Sequence, residues 1–108
     1  MSKEMLILAE VQSFTSCAVH DNLEDGSLVT YDASDLRVIS PNGLEGETIW
    51  VIHSTEVPQD SPWRASGVLL SIVIDREHLS DERQLYDGAI KHLRIVAPRD
   101  VSTPTGNR

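Results

Sequence analysis

The sequence predicts a small α+β domain: a mainly antiparallel β-sheet curling toward a small barrel or sandwich, with one helix near the C-terminus. Three observations predict it. Turn-forming residues recur at short, regular intervals, at Asn22–Gly26, Asp32–Asp35, Pro41–Gly46 and Pro58–Ser66, with Val-, Ile-, Leu- and Thr-rich segments between them. Val68 to Asp75 alternates strictly, with Val68, Leu70, Ile72 and Ile74 forming one wholly apolar face. After Ser80 the period changes from two to that of a helix.

Each element follows from local chemistry. Met5–Val11 is the first strand, and a further short strand fits Thr15–His20. Ser27–Tyr31 and Leu36–Ser40 follow, separated by a turn at Asp32-Ala-Ser-Asp35. Pro41-Asn42-Gly43 then turns the chain, because Pro fixes φ while Asn and Gly tolerate positive φ. Thr48–Ser54 returns as a hairpin partner of the Leu36 strand. Val68–Asp75 reads as a central strand, with one face in the core and the other partly covered. Ser80 is the N-cap of the predicted helix, and Asp81 and Glu82 in its first turn complement the helix dipole. Leu85, Ala89, Ile90 and Leu93 form its apolar stripe, Gly88 is its weak point, and Pro98 ends it. Residues 1–98 form a single domain, and the polar tail 99–108 is expected to be disordered.

Composition narrows the function. Nine basic against seventeen acidic residues give a net charge of −8. Such a surface disfavours nucleic acid and anionic membranes, both of which need Lys and Arg. It favours a protein partner with a basic surface, or a second copy of the chain as a homodimer. The N-terminus lacks a signal-peptide design, and no apolar run approaches the roughly 18 residues that span a bilayer, so a cytoplasmic protein is expected. Cys17 is the sole cysteine, which excludes an intrachain disulfide.

No motif carries metal, cofactor or catalytic chemistry. Asp21-Asn-Leu-Glu-Asp-Gly26 matches a calcium loop at three positions but places Leu23 where an oxygen ligand is needed. Cys17 and His20 supply two ligands where zinc requires three or four, and Cys17 reads as a small buried hydrophobe. Asp32, Ser34 and Asp35 beside His53 are raw material for a hydrolase, yet no Gly-x-Ser-x-Gly elbow accompanies them. They read first as turn formers. The six glycines are scattered, so no phosphate loop exists.

The most informative stretch is the connection Thr55–Ser66, twelve residues with two prolines and Trp63-Arg64. Connections of that length tend to be functional or disordered, and Trp with Arg is the pairing enriched at interface hot spots. Trp63, Arg64, Gln59 and Asp60 are therefore the expected partner-binding residues. A competing reading folds the loop back, with Trp63 capping the core and Arg64 lying over it. The expected function is a non-catalytic protein-binding or regulatory module, in the manner of an acidic inhibitor or immunity-type protein. The alternative is a small-molecule-binding barrel or enzyme subunit, with its ligand at the barrel mouth beside His53 and Trp63.

Overall fold

A computed structural model describes residues 3–21 and 25–96. The described residues form six strands: β1 (Glu4–Asp21), β2 (Leu28–Ser40), β3 (Thr48–His53), β4 (Leu69–Asp75), β5 (Gln84–Tyr86) and β6 (His92–Val96). They make one open sheet in the order β5-β3-β2-β1-β4-β6. Every pairing is antiparallel except β3 with β5, which run parallel. The protein is thus mostly β, with a mixed sheet that closes into neither a barrel nor a sandwich.

The alternation in β4 governs its packing as expected. Leu70, Ile72 and Ile74 are buried, while Leu69, Ser71, Val73 and Asp75 are half-exposed on the opposite face. The same face of the sheet carries Met5, Ile7, Ala9 and Val11 from β1 and Leu36 and Val38 from β2. Ile49, Val51 and Leu85 complete this core. Among the described residues no second sheet or long helix covers it. Leu44, Trp63, Val68, Leu79, Ala89 and Ile90, all from connections, pack over it instead.

The predicted C-terminal helix is absent, and no helix of seven or more residues occurs among the described residues. Its segment holds β5, a single 3-10 turn at Asp87–Ala89, and β6. The break has a local cause. Ser80 caps a tight turn rather than a helix: its Oγ accepts the Gln84 N–H, and its carbonyl accepts the Arg83 N–H. Arg83 then takes φ +63°, outside the helical region. Leu85 beyond it enters the core as a strand residue beside Val51. Further on, Leu93 and Ile95 share one face of β6 opposite Ile72 and Leu70.

One predicted turn, and the gap between two predicted strands, also dissolve into long strands. β1 runs unbroken through Gln12, and β2 runs through Asp32-Ala-Ser-Asp35. Irregular register between Val11 and Ser13 and between Thr15 and Ala18 absorbs the mismatch. Asp32 keeps a turn-like habit inside the strand, accepting the Cys17 N–H at 3.2 Å and the Val57 N–H at 3.1 Å. Past these bulges, Ala18–Asp21 and Leu28–Tyr31 pair with each other as a ribbon, flanked by no third strand among the described residues. Long strands explain the elongated outline, 53 × 38 × 21 Å. Among the described residues no helix is long and apolar enough to cross a membrane. The expected tail at 99–108, and residues 22–24 of the calcium-like turn, lie outside the described residues.

Candidate functional site

Chemistry-bearing side chains collect where the ribbon leaves the sheet. Strand register puts Asp32 opposite His53 and Ser34 opposite Val51, so Asp32, Ser34 and His53 share the inner face of β2 and β3. Ser34 Oγ lies 2.9 Å from His53 Nε2. On the other side of the imidazole, Nδ1 lies 3.7 Å from Asp87 Oδ2. Asp87 is itself held by the Ser54 N–H (3.2 Å) and Ser54 hydroxyl (3.1 Å), both donating to Oδ1. A serine, a histidine and an aspartate therefore stand in line.

The arrangement resembles a nucleophilic triad, but its hydrogen bonds run in the wrong direction for one. Ser34 donates its one hydroxyl proton to the Trp63 carbonyl at 2.9 Å. The proton between Ser34 and His53 must then reside on Nε2, the reverse of what activates a serine. Ser34 is also wholly buried, so no substrate reaches its oxygen. At 3.7 Å from Asp87, Nδ1 makes at most a long, weak contact with it. Burial pushes the His53 pKa below its ordinary value, while the Asp87 and Asp32 carboxylates pull it back. The cluster ties the long loop to the sheet.

That loop is pinned at several points. Trp63 sits in a one-turn 3-10 helix, Pro62–Arg64, whose Ser61 Oγ accepts the Trp63 N–H. Its indole is half-buried, meets the His53 ring edge-on at 5.0 Å and packs on the core. Arg64 donates from Nε and Nη2 to the Val57 carbonyl, at 3.1 and 2.8 Å. Its guanidinium stands 4.2 Å from the Phe14 ring centroid, a cation–π contact. Gln59 and Asp60 are exposed toward the start of the same loop.

Between loop and ribbon opens a cleft of about 340 Å³. Cys17, Tyr31, Asp32, His53, Glu56 and Arg64 are among the residues that line it. The Val57 N–H, then that of Cys17 and the nearby Arg64 and His53, lower the Asp32 pKa, so the cleft holds a firmly ionised carboxylate. With Glu56 beside it, the wall is more acidic than basic. Cys17 is exposed, at φ +55° in the irregular stretch of β1, and not the buried hydrophobe expected of it. No group of three or more His, Cys, Asp or Glu among the described residues could hold a metal ion.

The expected residues are thus divided in their surroundings. His53, Trp63 and Arg64 come together, but at the loop–sheet junction of an open sheet, where there is no barrel mouth. Gln59 and Asp60 stand apart, facing solvent. Asp87 escaped sequence reasoning, because it was read as a helix interior; an Asp-Gly pair beside a weak helix was the available signal. The ribbon escaped it too, since its residues were divided between two short strands. No protein-family model, curated protein or solved structure matches the chain.

Proposed function

We propose that this is a non-catalytic protein-binding module whose partner docks at the ribbon end of the sheet. One observation carries the reading: a two-stranded ribbon stands clear of the sheet with large apolar side chains in solvent. Val19 is 62% exposed and Leu28 is 70% exposed. Register places both on one face, since Val19 pairs with Thr30 and Asp21 with Leu28. An isolated two-stranded ribbon gains little stability by itself, so such an arm is best supported by something packed against it. The acidic cleft at its base and the net charge of −8 favour a partner with a basic surface. The loop bearing Gln59, Asp60, Trp63 and Arg64 forms the other wall of this surface.

The test compares wild type with the double variant Val19→Ser, Leu28→Ser. Both should melt alike, because exposed side chains contribute little to the fold. Wild type should retain a basic protein from an extract of its source cells, released by raised salt, and the variant should lose it. Equal retention by both would overturn the reading, as would labelling of Ser34 by a fluorophosphonate probe for active serines.

A further inference from the structure

We propose that the cleft between the Pro41–Glu47 connection and the segment Arg76 to Arg83 binds an aliphatic carboxylate, one carboxyl group on a short apolar chain. The cleft encloses about 320 Å³, at the lower end of the roughly 300–1,000 Å³ typical of small-ligand sites. It lies at the start of β1, and the length of that strand separates it from the ribbon.

Its lining is two-sided. Met5, Leu44 and Leu79 make an apolar wall continuous with the core. Arg76 and Arg83 bring two of the chain's nine basic residues to the same cavity. Arg76 has no carboxylate within ion-pair distance among the described residues. Its Nη1 reaches the Met5 Sδ at 3.9 Å, a weak acceptor, and no other described side chain takes its remaining donors. Arg83 donates from Nε to Glu47 Oε1 at 2.6 Å and keeps its Nη donors.

The backbone holds Arg83 in place for this role. Its φ of +63° is rare for a residue with a long side chain. Two hydrogen bonds fix it there: the Arg83 N–H donates to the Ser80 carbonyl at 2.9 Å, and the Trp50 N–H donates to the Arg83 carbonyl at 2.8 Å. Strained residues held this firmly cluster at ligand clamps.

Charge selects the ligand. Glu47 balances one arginine, which leaves a single positive charge for a monoanion and disfavours a phosphate dianion. The planar guanidinium suits a carboxylate, and the Met5, Leu44 and Leu79 wall suits an alkyl chain. The same chemistry is offered by a free aliphatic acid and by the C-terminal residue of an apolar peptide.

Calorimetric titration of the full chain decides the matter. Octanoate should bind saturably at one site. Octanol has the chain without the charge, inorganic phosphate the charge without the chain, and both should bind far more weakly. N-acetyl-leucyl-leucine with a free carboxyl, set against its amide, separates the two sources. Tighter binding of the acid dipeptide than of octanoate assigns a peptide terminus, and the reverse order assigns a free acid. Arg76→Gln should weaken binding about tenfold or more, the loss of one charge-assisted contact, with the melting temperature nearly unchanged because Arg76 is exposed and makes no ion pair among the described residues. Absence of binding by both acids at millimolar concentration would overturn the site. So would phosphate binding as tightly as octanoate, or an Arg76→Gln variant that binds normally.

Discussion

His53 is buried with an acidic neighbour on one side and a serine on the other, and its titration should be visible in stability. Its folded pKa lies below the ordinary 6.5. Above that value the imidazole is neutral whether the chain is folded or not. As pH falls below about 6.5 the unfolded chain takes up the proton first, so stability declines until the folded pKa is passed. His53→Gln should flatten this part of the curve relative to wild type in urea melts run at successive pH values. Asp87→Asn removes an attraction that favours the imidazolium, so NMR titration should find the His53 pKa lower still. Trp63 invites a second test. With its indole on the core and its carbonyl held by Ser34, Trp63→Ala should cost about 3 kcal/mol, near the lower end for aromatic truncation because the ring is only half-buried. Thermal melting measures this directly, and an unchanged curve would restore Trp63 to the role of a free contact residue. Cys17 completes the residue scale: its exposed thiol should react fully with a disulfide reagent in the native protein.

Among the elements, β5 is the smallest and the most telling. Three residues long, it buries Leu85 against β3 in the sheet's one parallel pairing. Leu85→Ala should cost about 2–5 kcal/mol, the range for a large core residue, by chemical denaturation. Two residues before β4, Gly67 holds φ +93° with open space around its missing side chain. Gly67→Ala should therefore destabilise through backbone strain alone, by about 1 kcal/mol or more. These elements also show what could be read from the chain. The strand at Leu69–Asp75 was legible because alternation survives whatever packs beside it. The segment after Ser80 was not, since Leu85, Ile90 and Leu93 fit a helical stripe as well as they fit two strand fragments around a turn. Only the left-handed Arg83 decides between them, and nothing in its residue type announces that conformation. The site was half legible. His53 and Trp63 were singled out from their neighbours, but Ser34 meets His53 only through the β2–β3 register, and Asp87 reaches it only through the crossover to β5.

At the scale of the whole molecule, β1 is the spine, pairing with β2 along one edge and with β4 along the other. The β4 partner lies some sixty residues further along the chain, so the central pairing is highly non-local. Such topologies fold slowly, in roughly milliseconds to seconds, and stopped-flow refolding should place this chain in that range. Synthesis on the ribosome makes the consequence sharper. Met5, Ile7, Ala9 and Val11 emerge ahead of both partner strands, and β2 can close a hairpin over one side of them within a few seconds. The other edge stays bare until Asp75 has cleared the exit tunnel. A nascent chain stopped anywhere in the Thr55–Gly67 connection would carry an apolar strand with an open row of peptide groups. That intermediate, more than the finished fold, is where chaperone binding and aggregation should concentrate.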